Sequence, residues 1–155
     1  MKTVCEKDQC AGCMACIDIC SQNAISIVDS LKAYNAVIDT RKCLNCNLCH
    51  KVCQKNYPPK SERPIQWYQG WAGDDALRKK GSSGGIASAV AKLIIEKGGE
   101  VWSCTFKNGK FGFENAKHLE ELEKFIGSKY VKSNPQGVYK QIKTSLKEGK
   151  KILFI

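Results

Sequence analysis

Eight of the ten cysteines form two runs of one design. Cys10-x-x-Cys13-x-x-Cys16-x-x-x-Cys20 recurs as Cys43-x-x-Cys46-x-x-Cys49-x-x-x-Cys53, with every cysteine displaced by 33 residues. Three thiolates at i, i+3 and i+6 can wrap one face of an iron–sulfur cube, and the fourth corner must be ligated from elsewhere. In two-cluster arrangements the last cysteine of each run serves the other cluster. The predicted ligand sets are therefore Cys10, Cys13, Cys16 and Cys53 for one 4Fe-4S cluster, and Cys43, Cys46, Cys49 and Cys20 for a second. A pair of zinc sites is the competing reading, but zinc usually takes two well-separated C-x-x-C knuckles rather than three cysteines in seven residues. Disulfides are disfavoured in a reducing compartment.

Other residues offer weaker chemistry. Cys5 and Cys104 read as small buried hydrophobes, Cys5 on an edge strand and Cys104 in mid-strand. His50 and His118 lack partners at ligand or triad spacing and read as solvated. Gly81-Ser82-Ser83-Gly84-Gly85 precedes an apolar helix. Such a loop either aims backbone N–H groups at a phosphate or simply caps the helix.

The positioning elements can be sketched from periodicity. Short helices are predicted at 16–21 and 49–55, and strands at 24–28 and 36–39 around a turn at 29–33. Three of the four prolines fall in 57–64, so residues 58–66 read as a linker between a domain at 1–57 and another at 67–155. In the second region Ile86, Ala89, Val90, Leu93 and Ile94 keep a helical stripe over 86–97, with Gly98-Gly99 as the stop. A strand at 100–106 meets Asn108-Gly109, a strong hairpin signal. Helices follow at 119–125 and 136–147. The apolar run 152–155 reads as a buried strand of a parallel sheet, which makes the chain read as the front part of a longer protein. The fold class is α+β: a ferredoxin-like two-cluster domain, then the start of an α/β flavoprotein-type domain.

Residues 1–57 resemble a bacterial-type 2x 4Fe-4S ferredoxin domain. Such runs usually end Cys-Pro, whereas Cys20-Ser21 and Cys53-Gln54 restore backbone N–H groups near the clusters. The cysteine domain, then Gly-Ser-Ser-Gly-Gly-Ile-Ala-Ser at 81–88, Leu-Glu-Glu-Leu-Glu-Lys-Phe-Ile-Gly-Ser-Lys-Tyr-Val at 119–131 and Lys-Lys-Ile-Leu-Phe-Ile at 150–155 together resemble the coenzyme F-420 hydrogenase/dehydrogenase beta-subunit family. The resemblance implies an oxidoreductase whose flavin, usually FAD, exchanges electrons between iron–sulfur clusters and a hydride acceptor such as coenzyme F-420. It implies flavin or coenzyme contacts at Ser83, Gly84 and Gly85, and at Gly127, Ser128, Lys129 and Tyr130. No side chain is expected to act as acid, base or nucleophile. The alternative is a non-enzymatic ferredoxin-like carrier module.

Lys and Arg outnumber Asp and Glu by 25 to 15, a formal charge of +10. Two clusters at about −2 each would reduce this to about +6. The basic residues are scattered rather than gathered with aromatics, which argues against nucleic acid as a partner. No apolar stretch is long enough to cross a bilayer and the start lacks a signal-peptide core, so a cytoplasmic location is expected. The expected partners are a redox protein or subunit and a small-molecule hydride acceptor, with no membrane.

Overall fold

The computed structural model describes all 155 residues. The chain divides into two units, residues 1–62 with 134–140, and residues 63–133 with 141–155. No helix is long and apolar enough to cross a membrane.

The first unit is built on an antiparallel sheet ordered β1-β3-β2, with β1 at Lys2–Thr3, β2 at Ile25–Asp29 and β3 at Tyr34–Ile38. β2 and β3 form a hairpin with Ile25 opposite Ile38 and Asp29 opposite Tyr34. Its turn is closed locally: Leu31 N donates to Asp29 Oδ1, and Ser30 and Ala33 exchange hydrogen bonds. Val4, Cys16, Ile25, Ala36 and Ile38 make the core, and cysteines from both runs pack against it. Two short helices, α1 (Ala15–Ile19) and α2 (Leu48–Lys51), carry the third cysteine of each run.

The segment 134–140 belongs to this unit, which local sequence patterns gave no reason to expect. The buried Asp18 carboxylate on α1 accepts from Gly137 N at 2.7 Å and from Tyr139 N at 3.1 Å. It thereby occupies donors at the start of α5 (Val138–Lys147) that no helical carbonyl can reach.

The second unit holds a sheet ordered β5-β4-β6, from β4 (Glu100–Lys107), β5 (Lys110–Ala116) and β6 (Ile152–Phe154). Asn108 and Gly109 both take positive φ at the β4–β5 turn, as a two-residue I′ hairpin requires. β6 runs parallel to β4, with Leu153 beside Val101, but it is a half-exposed edge strand of this sheet rather than a buried one. α3 (Asp75–Lys80) was not legible as a stripe; its start is fixed by Asp74, which accepts from Ala76 N and Leu77 N. α4 (Ile86–Glu96) packs Ala91 and Ile95 on Val101, with Ile94, Leu122, Phe125 and Leu153 around them. After α4, a Cβ on Gly99 would lie 2.7 Å from Ile94 Cγ2 and 2.8 Å from Lys151 O, so only glycine fits.

Residues Leu119–Phe125 form a 3-10 helix. Leu119, Leu122 and Phe125 recur every third residue, and a helix with three residues per turn stacks them on one side. Beneath the sheet's end, the buried Glu100 meets Ser145 Oγ at 2.9 Å and Lys117 Nζ at 3.2 Å. Burial alone would raise its pKa, but Ser145, Lys117 and Trp102 together hold it below the usual value.

Candidate functional site

The 33-residue repeat is written into the backbone as well as into the cysteines. Gly12 and Asn45 occupy equivalent places and both take positive φ, 66° and 54°. Met14 and Asn47, the next equivalent pair, do the same at 61° and 62°. Each loop thus turns twice through the left-handed region, once between its first and second cysteines and once between its second and third. Glycine and asparagine tolerate that conformation; Met14 is the costly member. The turns point amides at sulfur: Gly12 N lies 3.4 Å from Cys10 Sγ, and Asn45 N lies 3.4 Å from Cys43 Sγ. Ala24 N approaches Cys20 Sγ at the same distance.

The cysteines surround two cavities. Cys10, Cys13, Cys16 and Cys53 line the first, together with Val4, Cys5, Met14 and Ala36. The second is lined by Cys43, Cys46, Cys49 and Cys20, with Lys2, Asn45 and His50. Each cavity therefore takes three cysteines from one run and the last cysteine of the other. No group of three or more Cys, His, Asp or Glu is arranged to hold one metal ion. A tetrahedral zinc needs its sulfurs within about 2.3 Å of a single point, whereas a cube of iron and sulfide takes thiolates at its outer corners. The donor set fits the cube.

The cavities differ. The first is tight, with about 20 Å³ of free space, and its Cys16 is only 7% exposed. The second has about 130 Å³, and its Cys46 is exposed. Burial, reinforced by Cys13 and Cys10, pushes the Cys16 thiol up to about 12. Burial also raises Cys49, partly offset by the amide of His50.

Cys5 is the residue whose surroundings the sequence did not reveal. β1 ends at Thr3, so Cys5 lies beyond the edge strand expected to carry it. It is buried, as expected of a small hydrophobe, but buried on the first cavity, beside Cys53 and Cys10. His50 is half-buried with its Nδ1 3.4 Å from Asn56 Nδ2, while His118 is exposed at the start of the 3-10 helix.

In the second unit, Ser83, Gly84, Gly85, Gly127, Ser128 and Lys129 all line one cavity of about 380 Å³ at the N-terminal end of α4. Ser128 N donates to Ser82 Oγ at 2.9 Å, tying the two loops together. Tyr130 is 92% exposed and stands off this cavity. Ser82 and Cys104 also line its wall, though no sequence pattern places them there. Lys129 Nζ donates to Phe125 O and Ile126 O at 2.9 and 3.1 Å, and burial lowers its pKa against an opposing effect of Cys104. A second, mainly apolar cavity of about 300 Å³ shares Ala87, Ser88, Phe125 and Ile126 with the first and adds Leu77, Leu119 and Leu122.

Comparison with known proteins is informative for the cysteine region. The 4Fe-4S dicluster domain family matches residues 9–57, which span both runs. The chain therefore carries an N-terminal ferredoxin-type dicluster domain and, with it, an iron–sulfur electron-transfer role. No curated protein matches the chain.

Proposed function

We propose that the first unit holds two 4Fe-4S clusters through crossed ligand sets, Cys10, Cys13, Cys16 and Cys53 on one and Cys43, Cys46, Cys49 and Cys20 on the other, and that the second unit binds a flavin. The observation that carries the cluster assignment is the lining of the two cavities, three cysteines from one run and one from the other in each case. When bound, the clusters supply one-electron carriers and FAD interconverts electron pairs and hydride. Everything else is the work of the polypeptide. The amides of Gly12, Asn45 and Ala24 point at ligand sulfurs, where hydrogen bonds stabilise negative charge. Val4, Met14 and Ala36 exclude water from the first cavity.

For the flavin, the amides and hydroxyls of residues 81–85 at the start of α4 match its phosphates, since a helix N-terminus favours anions. The adjoining apolar cavity suits an aromatic ring system. Lys129 keeps one N–H free of its two carbonyl partners. On this reading the chain exchanges electrons with a redox partner protein or subunit and delivers them to a hydride acceptor of the coenzyme F-420 type or a related one.

The test is anaerobic reconstitution with iron and sulfide, followed by titration with FAD and measurement of flavin fluorescence. Quenching that saturates, and that Ser83→Glu weakens at least about tenfold by setting a carboxylate among the phosphates, supports the flavin site. A chain that assembles both clusters yet leaves FAD fluorescence unchanged is a carrier module without the flavin.

A further inference from the structure

The first cavity has five cysteine sulfurs around it, and a cube needs four. The fifth, Cys5, is 7% exposed and lines the same cavity. Hydrogen bonds hold its carbonyl and the backbone of Val4 before it. Val4 N donates to Ala36 O at 2.9 Å, and Thr3 Oγ1 donates to Cys5 O at 2.7 Å. Asn56 Nδ2 donates to Val4 O at 2.8 Å, while Asn56 N donates to Cys53 O at 3.1 Å. Asn56 thus ties the segment just after β1, which carries Cys5, to the turn that carries Cys53. The Cys5 thiol faces the sulfurs of Cys53 and Cys10, and the free space among the five is about 20 Å³, room for about one water. The second cavity has no fifth cysteine.

We propose that Cys5 is a reserve ligand of the first cavity, taking the iron corner of Cys53 when that sulfur is lost. In the exchange, Cys5 releases its thiol proton to solvent and its Sγ forms the bond to iron that Cys53 Sγ had formed; no electron changes hands. The first cavity would then survive damage to one ligand that the second could not. This rests on the ligand assignment proposed above.

The experiment compares four chains, reconstituted anaerobically: the native chain, Cys5→Ala, Cys53→Ala and Cys5→Ala/Cys53→Ala. Each is read by iron analysis and electron paramagnetic resonance. The native chain and Cys5→Ala should both hold about eight irons. Cys53→Ala should stay near eight, with the signal of two four-iron clusters, and the double variant should fall by one to four, to a three-iron form or an empty site. Equal iron in Cys53→Ala and the double variant overturns the reserve role, as does loss of iron from Cys5→Ala alone. Fewer than about eight irons in the native chain would instead overturn the ligand assignment itself.

Discussion

The two cysteine cavities come from one repeated loop design, yet their settings are opposed. In the first, the loop is roofed by Val4 and Met14 and its Cys16 is buried in the core of the unit. In the second, Asn47 stands where the first loop has Met14, Lys2 and Asn45 are part of the lining, and Cys46 is exposed. The lesson is that ligand spacing sets which metal group is held, while the residues between and around the ligands set how dry it is. Burial disfavours the more highly charged state, so the first cavity should favour the oxidised, less negative form more strongly than the second.

The largest expected effect breaks the comparison outright. Cys16→Ala removes a ligand and opens a hole in the core, so it should lose about one to four irons and also lower the unfolding midpoint by the equivalent of about 1–3 kcal/mol. Cys46→Ala should lose the same iron from the exposed cavity with a smaller change in midpoint. Iron analysis with thermal unfolding separates the two variants. Next in size is accessibility. A polar chelator added to the reconstituted chain should release iron in two phases, the exposed cavity emptying first; a single phase would mean that the cavities are equally open.

The third contrast is in pH. Ligation requires the thiolate, so a thiol whose pKa is raised must lose a tightly held proton before it can bind iron. Burial sets Cys16 at about 12, so assembly into the first cavity should gain from a rise between pH 7 and 9 more than assembly into the second. Stopped reconstitutions at the two pH values, analysed for iron in each cavity, check the direction. The smallest effect concerns the loops. Gly12→Ala and Asn45→Ala should each cost about 1 kcal/mol through the left-handed backbone. Asn45→Ala also loses the Lys2 Nζ contact at 3.1 Å. Asn45→Gly should be nearly neutral for backbone strain. Denaturant midpoints of the reconstituted proteins provide the readout.

What the sequence made legible was what is local. The cysteine spacing, the Asn108-Gly109 turn and the α4 stripe each encode their geometry within a few residues. The dicluster domain was legible for the same reason: a 33-residue repeat of eight cysteines carries its own signature. Contacts between distant residues were not legible. Nothing near Asp18 foretells that its carboxylate meets the amides of Gly137 and Tyr139, and nothing near Cys5 foretells that Asn56 anchors it beside Cys53. The segment 119–125 reads from sequence simply as a helix, and its 3-10 form follows the three-residue spacing of Leu119, Leu122 and Phe125. In the glycine-loop cavity, six of the seven residues that the family resemblance implies line one cavity, its two loops tied by Ser128 N donating to Ser82 Oγ, while Tyr130 is exposed.

The crossing of the ligand sets is the claim on which the account turns, and Cys20→Ala tests it most directly. Cys20 belongs to the first run but lines the second cavity. The reconstituted variant, challenged with chelator, should lack the fast phase of iron release and keep the slow one. Loss of the slow phase instead, with the fast phase intact, would show that each run serves its own cluster and would contradict the account.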